Sequence, residues 1–210
     1  ATADTQLKIV NPDASEAAID LTLYGAEGEI QSLGARGITL AAYEERVIAL
    51  SVLTKKATPV GVSFQASRGR AAVMAITQTQ SSGTAAGPSQ LGTSHLLPGI
   101  PAGATSSVVV LANPGETRIT ANLTAYGTTP AYHPQGGENI SVPPHASVSV
   151  SLENALLGEA SAIQVNSDAP VMAGMAFTLG DSAQVAPVAA GTSLGAFTPA
   201  GGTLQLTNPG

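Results

Sequence analysis

The chain has no cysteine and no tryptophan, only four tyrosines and three phenylalanines, and 10 % charged residues, where an average soluble domain carries about 25 %. Without cysteine there is no disulfide framework, no thiol nucleophile and no cysteine-bearing zinc site, although the compartment stays open. No run of about 20 apolar residues occurs, so no helix here spans a membrane. Basic residues are missing from one half. Residues 1–105 carry seven Lys/Arg against eight Asp/Glu, whereas residues 106–210 carry Arg118 alone against six acids. Binding to nucleic acid needs a basic footprint that displaces counterions from phosphates, and the second half cannot supply one. Lys55, Lys56, Arg68 and Arg70 form the one basic grouping and read as exposed loop charges. The opening Ala1-Thr-Ala-Asp-Thr has neither a basic n-region nor an apolar h-region, and reads as a mature or trimmed N-terminus.

What the chain does have is repetition. Ser107–Gly127 holds an apolar run, Asn113-Pro114-Gly115, and a second run ending Leu-Thr-Ala-Tyr126-Gly127. The same pattern opens the chain, from Leu7 through Asn11-Pro12-Asp13 to Leu-Thr-Leu-Tyr24-Gly25. Asn11 to Tyr24 and Asn113 to Tyr126 keep one offset, 102 residues, without a gap. A third version begins at Leu204 and reaches Asn208-Pro209-Gly210. Each complete version reads as a hairpin: strand, Asn-Pro turn, strand. Asn can bond its own downstream backbone and Pro presets φ at the first central turn position.

In order, Leu7–Val10 and Ala17–Tyr24 are predicted strands, the second with apolar residues at every other position. Ile38–Leu40 is a short strand. Residues 41–56 would pass for a helix on propensity, but the counterpart Pro143-Pro144-His145-Ala-Ser-Val148-Ser-Val150 excludes one there. A strand is therefore expected at Val47–Leu50, then a single helical turn at Val52–Lys56 and at Glu153–Leu157. Val60–Ala66 and Ala71–Thr77 follow about a Ser-Arg-Gly-Arg turn. Their counterparts are Ala162–Val165 and Val171–Phe177, separated by a loop at 166–170, with Val73-Met74-Ala75 matched to Val171-Met172-Ala173. The Ser-, Gly- and Pro-rich tract 81–105 and the similar Val185–Phe197 are read as a last irregular strand of each unit plus the connection, since long structureless loops are uncommon. Both contain Gly-Thr-Ser, at 92–94 and 191–193. Thr203–Gly210 either starts a further repeat or closes the sheet of its own domain. About seven short strands per unit, with turn signals every 8–12 residues, predict an all-β protein of two tandem immunoglobulin-like antiparallel β-sandwich domains, residues 1–100 and 101–210.

Candidate chemistry is sparse. His95, His133 and His145 share no metal-ligand spacing, and Asn166, Asp168 and Asp181 are too scattered for a calcium loop. There is no Gly-x-Ser-x-Gly elbow and no phosphate-cradling Gly-rich loop with Lys. Glu27/Glu29 and Glu44/Glu45 read as solvated acids rather than carboxyls held across a cleft. Tyr24/Tyr126 and Phe64/Phe177 fall at or near equivalent positions and read as structural. Of the remaining aromatics, Tyr132 lies on the loop Tyr132-His133-Pro-Gln-Gly-Gly137, so Tyr132, His133 and His145 (the residue facing Tyr43 across the repeat) are the candidate ligand contacts.

The tandem Asn-Pro-(Gly/Asp) stretch, the Leu-Thr-x-Tyr-Gly strand end and Asp168-Ala-Pro-Val-Met-Ala173 resemble a family of exported actinobacterial proteins, the domain-of-unknown-function 5719 family. The resemblance implies repeated sandwich-like units, an extracellular or cell-envelope location, and no assigned catalytic residue. The expectation is a non-enzymatic spacer, scaffold or protein-interaction module without a cofactor. Its partner would be a cell-envelope protein or a glycan, the alternative being a module that binds cell-wall polysaccharide.

Overall fold

The computed structural model describes residues 5–55, 59–78, 83–86, 90–159, 161–179 and 182–186. The fold is all-β, built from several antiparallel sheets. In the first half the strands are β1 (Thr5–Val10), β2 (Ala17–Gly25), β3 (Gly28–Ile30), β4 (Ile38–Leu40), β5 (Glu45–Ala49), β6 (Gly61–Arg68), β7 (Ala72–Gln78) and β8 (Gly83–Ala86), with one helical turn, α1 (Leu50–Leu53). They form one sheet in the order β5-β1-β7-β8, and another in which β3 and β4 share one side of β2 while β6 takes the other. Strands β9 (Gly92–Ile100), β10 (Ser106–Ala112), β11 (Ile119–Tyr126), β12 (Ile140–Val142), β13 (Ser147–Ser151), β14 (Ser161–Leu179) and β15 (Ser182–Ala186) complete the described chain. Their order is β12-β11-β14-β10-β13, with β9 and β15 also paired to β14.

Period-two burial explains the strands. In β2, Ala17, Ile19, Leu21 and Leu23 are buried while Ala18, Asp20 and Thr22 are half-buried, as a pleated strand with one core face requires. In β11, Ile119, Ala121, Leu123 and Ala125 repeat this. Two apolar clusters result. One contains Leu7, Ile9, Leu21, Leu40 and Leu50, the other Leu97, Leu111, Leu123, Val142 and Val165. Ile38–Leu40 is strand as expected, and 45–49 is strand followed by a single helical turn, so no helix runs through 41–56.

Four expectations are corrected. The Asn-Pro stretches are not hairpins. β1 pairs with β5 and β7 while β2 pairs with β3, β4 and β6, so residues 11–16 are an arch that carries the chain from one sheet to the other. Residues 113–118 do the same between β10 and β11. Amphipathic strands either side of a turn fit a hairpin and an arch equally, and only the pairing partner separates them. Second, no loop divides 162–165 from 171–177. β14 runs through as one 19-residue strand, pairing β11 over Ala162–Ser167 and β10 over Met172–Thr178. Pro170 sits where the register shifts between Asn166 and Val171, the bulge position at which a strand tolerates proline.

Third, the core match is displaced. Ala75 lies opposite Leu7 and Met175 opposite Val109, 102 residues on, so the counterpart of Val73-Met74-Ala75 is Ala173-Gly174-Met175. Fourth, Phe64 lies opposite Leu21 whereas Phe177 lies opposite Ser107, so the two phenylalanines sit on different sheets and are not equivalent. The tract 81–105 contributes β8, paired with β7, and β9, paired with β14. The readings of Lys56 and of 187–210, including Phe197 and the third Asn-Pro-Gly, fall outside the described residues.

The halves touch where β2 ends and β13 begins. Ser147 Oγ donates to Tyr24 O at 2.7 Å in a buried contact, and a Cβ on Gly61 would lie 2.5 Å from Ala112 Cβ. Tyr24, Ala112 and Ser147 are all buried. This explains why Tyr24 is covered while Tyr126, its equivalent, is half-buried.

Candidate functional site

The most built polar feature of the chain is the arch, and it occurs twice. Asn11 and Asn113 are wholly buried. Asn11 Oδ1 accepts from Asp13 N at 3.0 Å, while Nδ2 donates to Ser15 O at 2.7 Å, Ala41 O at 2.8 Å and Leu40 O at 3.5 Å. Asn113 Oδ1 accepts from Gly115 N at 2.9 Å, and Nδ2 donates to Thr117 O at 2.7 Å, Pro143 O at 3.1 Å and Val142 O at 3.2 Å. The backbone repeats the scheme: Asn11 N to Glu44 O and Asn113 N to Ala146 O, both 2.9 Å. Every one of these partners is displaced by 102 residues. One carboxamide thereby ties the arch after β1 to the arch between β4 and β5, and in the second half the arch after β10 to the arch between β12 and β13, which is why a buried side chain with both donor and acceptor is needed.

Two further devices recur. Asp20 Oδ1 takes Gly37 N at 2.7 Å, and Asn122 Oδ1 takes Asn139 N at 2.8 Å; Gly37 and Asn139 both have positive φ, 62° and 51°. Tyr43 (φ 58°) and His145 (φ 54°) crown the second arch of each half, and their amides donate to Asp13 O and Gly115 O. A bulky residue in the left-handed region is strained by about 1–2 kcal/mol.

The three predicted contacts do not come together. Tyr132 is half-buried against the second apolar cluster, bridges Ala125, and its hydroxyl accepts from Leu157 N at 3.2 Å. The neighbouring His133 donates from Nδ1 to Leu123 O at 2.7 Å. His145 lies at the opposite end of β11, beside Glu116, with Nε2 to Oε2 3.0 Å. Six strand steps separate those ends, roughly 20 Å. Among the described residues the exposed aromatic is instead Tyr43, 70 % accessible. Sequence reasoning set it aside, because which arch stands proud depends on the loop below it. Around Tyr43 lie the ion pairs Asp13–Arg70 and Glu44–Arg46.

Most carboxylates have local partners. Glu44 takes Ala41 N at 2.7 Å and Arg46 Nε at 3.1 Å; the backbone hydrogen bond first, then Arg46, lowers its pKa. Glu45 pairs with Lys8 at 2.9 Å, so the adjacent acids point apart. Arg70 lowers the pKa of Asp13. Glu29 holds Arg36 at 2.9 Å, and Asp168 takes Thr120 N at 2.9 Å. Glu159 fastens the loop after β11: it accepts from the hydroxyls of Thr128 and Thr129 and from Thr128 N at 2.9 Å. Those two hydroxyls lead in lowering its pKa to about 2. A Cβ on Gly127 would press on the Glu159 carboxylate, so a side chain there would have to displace the movable end of Glu159. His95 is buried, with Nε2 2.8 Å from Val171 O and 3.0 Å from Gly92 O, spanning the β14 bulge. Among the described residues no three His, Asp or Glu side chains converge as metal ligands, and no helix is long and apolar enough to cross a membrane.

Comparison with known proteins places the chain. The model of DUF5719, a family of unknown function, matches residues 1–208, and the chain belongs to that family. No curated protein and no solved structure matches.

Proposed function

From that membership we propose that the chain is a pair of tandem immunoglobulin-like sandwich units, acting without catalysis as a spacer, scaffold or protein-interaction module at the cell envelope or outside the cell. The observation that carries this is where the polar groups are used. The two wholly buried asparagines repeat one architectural hydrogen-bond set, and the acids around them hold backbone amides or neighbouring cations. Low charge density and absent cysteine are compatible with export. The buried contact between Tyr24 and Ser147 suits a spacer, because it ties one half to the next.

A second reading, binding of cell-wall glycan, is favoured by Tyr43, an exposed aromatic kept in a backbone conformation that glycine would adopt more easily. A glycan array followed by calorimetry separates the two. The spacer reading expects no saturable heat with any polysaccharide. Saturable binding that Tyr43→Ala abolishes overturns it in favour of the second.

A further inference from the structure

The two halves guard one pair of equivalent edges differently. β5 lies beside β1, and β13 beside β10, each five residues long. Among the described residues neither has a strand neighbour on its other side. Position by position, 102 residues apart, Glu45-Arg46-Val47-Ile48-Ala49 becomes Ser147-Val148-Ser149-Val150-Ser151. Arg46 lies opposite the wholly buried Ile9 and so on the core face, where Glu44 holds its guanidinium. A charge aimed inward at an edge is a device against strand addition. Val148 takes that place in β13, opposite the wholly buried Leu111, and is half-buried against the second apolar cluster. With Ser147 in place of Glu45, β13 carries neither charge nor proline.

The open side of β13 is also in phase for pairing. Asn113 N donates to Ala146 O at 2.9 Å and Leu152 N to Ser107 O at 2.8 Å, and these two bonds bracket the β10–β13 ladder. Antiparallel ladders alternate hydrogen-bonded and non-bonded pairs, so Val148 and Val150 turn their N–H and C=O groups to β10. Those of Ser147, Ser149 and Ser151 point the other way, to the open edge, and Ser149 and Ser151 are exposed. The five residues read the same in both directions about Ser149.

We propose that β13 pairs antiparallel with β13 of a second copy of the chain, about a two-fold axis at Ser149. The two Ser149 residues then exchange their N–H and C=O groups, and Ser147 does the same with Ser151 at each end, its side chain still bonded to Tyr24 O. Val148 meets Val150 of the second copy on the core face, which covers the half-buried valine. Of the registers open to the strand, this one pairs all five residues. Main-chain bonding along an uncharged edge is a common mode of recognition, and a contact between identical strands about a two-fold closes as a dimer. It is small beside the roughly 1,200–2,000 Å² of a stable complex, so the dimer is weak and rises with concentration. The inference goes beyond the spacer reading, which a monomeric chain would leave standing for sugar calorimetry to test.

The absence of cysteine makes the test clean. In the 210-residue chain, Ser149→Cys puts two thiols on the axis. Their Cα atoms lie about 5.5 Å apart, inside the roughly 4.4–6.8 Å that a disulfide spans. Ser151→Cys leaves its thiols roughly 14 Å apart along the strands. Mild oxidation is expected to link Ser149→Cys chains several-fold more than Ser151→Cys chains, and the excess to disappear when Val148→Arg is added. That substitution gives β13 the residue its counterpart carries, and the melting midpoint checks that the variant folds. Sedimentation equilibrium of the unaltered chain is expected to show a dimer that Val148→Arg abolishes. Equal cross-linking at 149 and 151 overturns the proposal, as does a monomer at every concentration up to about 1 mM or a dimer that Val148→Arg leaves intact.

Discussion

Replacing Asn113 by alanine removes a side chain that no solvent reaches and that bonds four backbone groups. Of its acceptors, the Val142 carbonyl is itself in a buried contact; the other three groups are part-buried and regain water in the variant. Leaving a buried carbonyl unsatisfied costs about 1–3 kcal/mol, and each replaced bond about 1 kcal/mol. The sum, about 4–6 kcal/mol, is at the upper end of single substitutions. For a unit of about 100 residues it lowers the melting midpoint by roughly 15–30 °C. Scanning calorimetry of the 210-residue chain reads this directly. If the halves are separate folding units, Asn113→Ala moves one transition and Asn11→Ala the other, each leaving the second in place. A loss below about 1 kcal/mol refutes the argument that the carboxamide holds the arches. Both variants moving one shared transition refutes the tandem-unit reading.

Other substitutions test the packing. Glu159 has its carboxyl pKa lowered from 4.5 to about 2, so the stability it adds is present above pH 4.5 and is lost as pH falls toward 2. Glu159→Gln is therefore expected to lower the midpoint at pH 7 and flatten the fall between pH 4.5 and pH 2; an unchanged acid limb contradicts the assignment. Gly61→Val puts a Cβ 2.5 Å from Ala112 and should cost about 1–3 kcal/mol by overpacking. Gly174→Val, where nothing lies within 4 Å, is the control expected to change the denaturation midpoint little.

Much of this fold is legible in the residues, and the failures share a cause. Alternation in Ala17–Tyr24 and the paired prolines at 143–144 identify strands, because they report local backbone geometry. Nothing local tells a hairpin from an arch: Asn11-Pro12 redirects the chain, but which strand receives β2 is decided by the core forty residues on. Pro170 reads as a break because a strand interior normally excludes it, and only the bulge in β14 makes it tolerable. The Phe64/Phe177 pairing fails because Phe64 lies on β6 against β2 while Phe177 lies on the far part of β14 against β10, and nothing local in the sequence shows that β14 serves both sheets. The site suffers likewise. Tyr132 is drawn in by Ala125 and Leu157, while Tyr43, its rival, stands clear because the arch beneath holds it in a left-handed turn.

The most direct test of the account is hydrogen exchange at the side-chain amides of Asn11 and Asn113, followed by NMR in deuterated buffer. Two carboxamide groups protected as strongly as the backbone amides of β2 and β11 are predicted, each losing protection with its own half. Rapid exchange at either asparagine would mean that arch is held some other way.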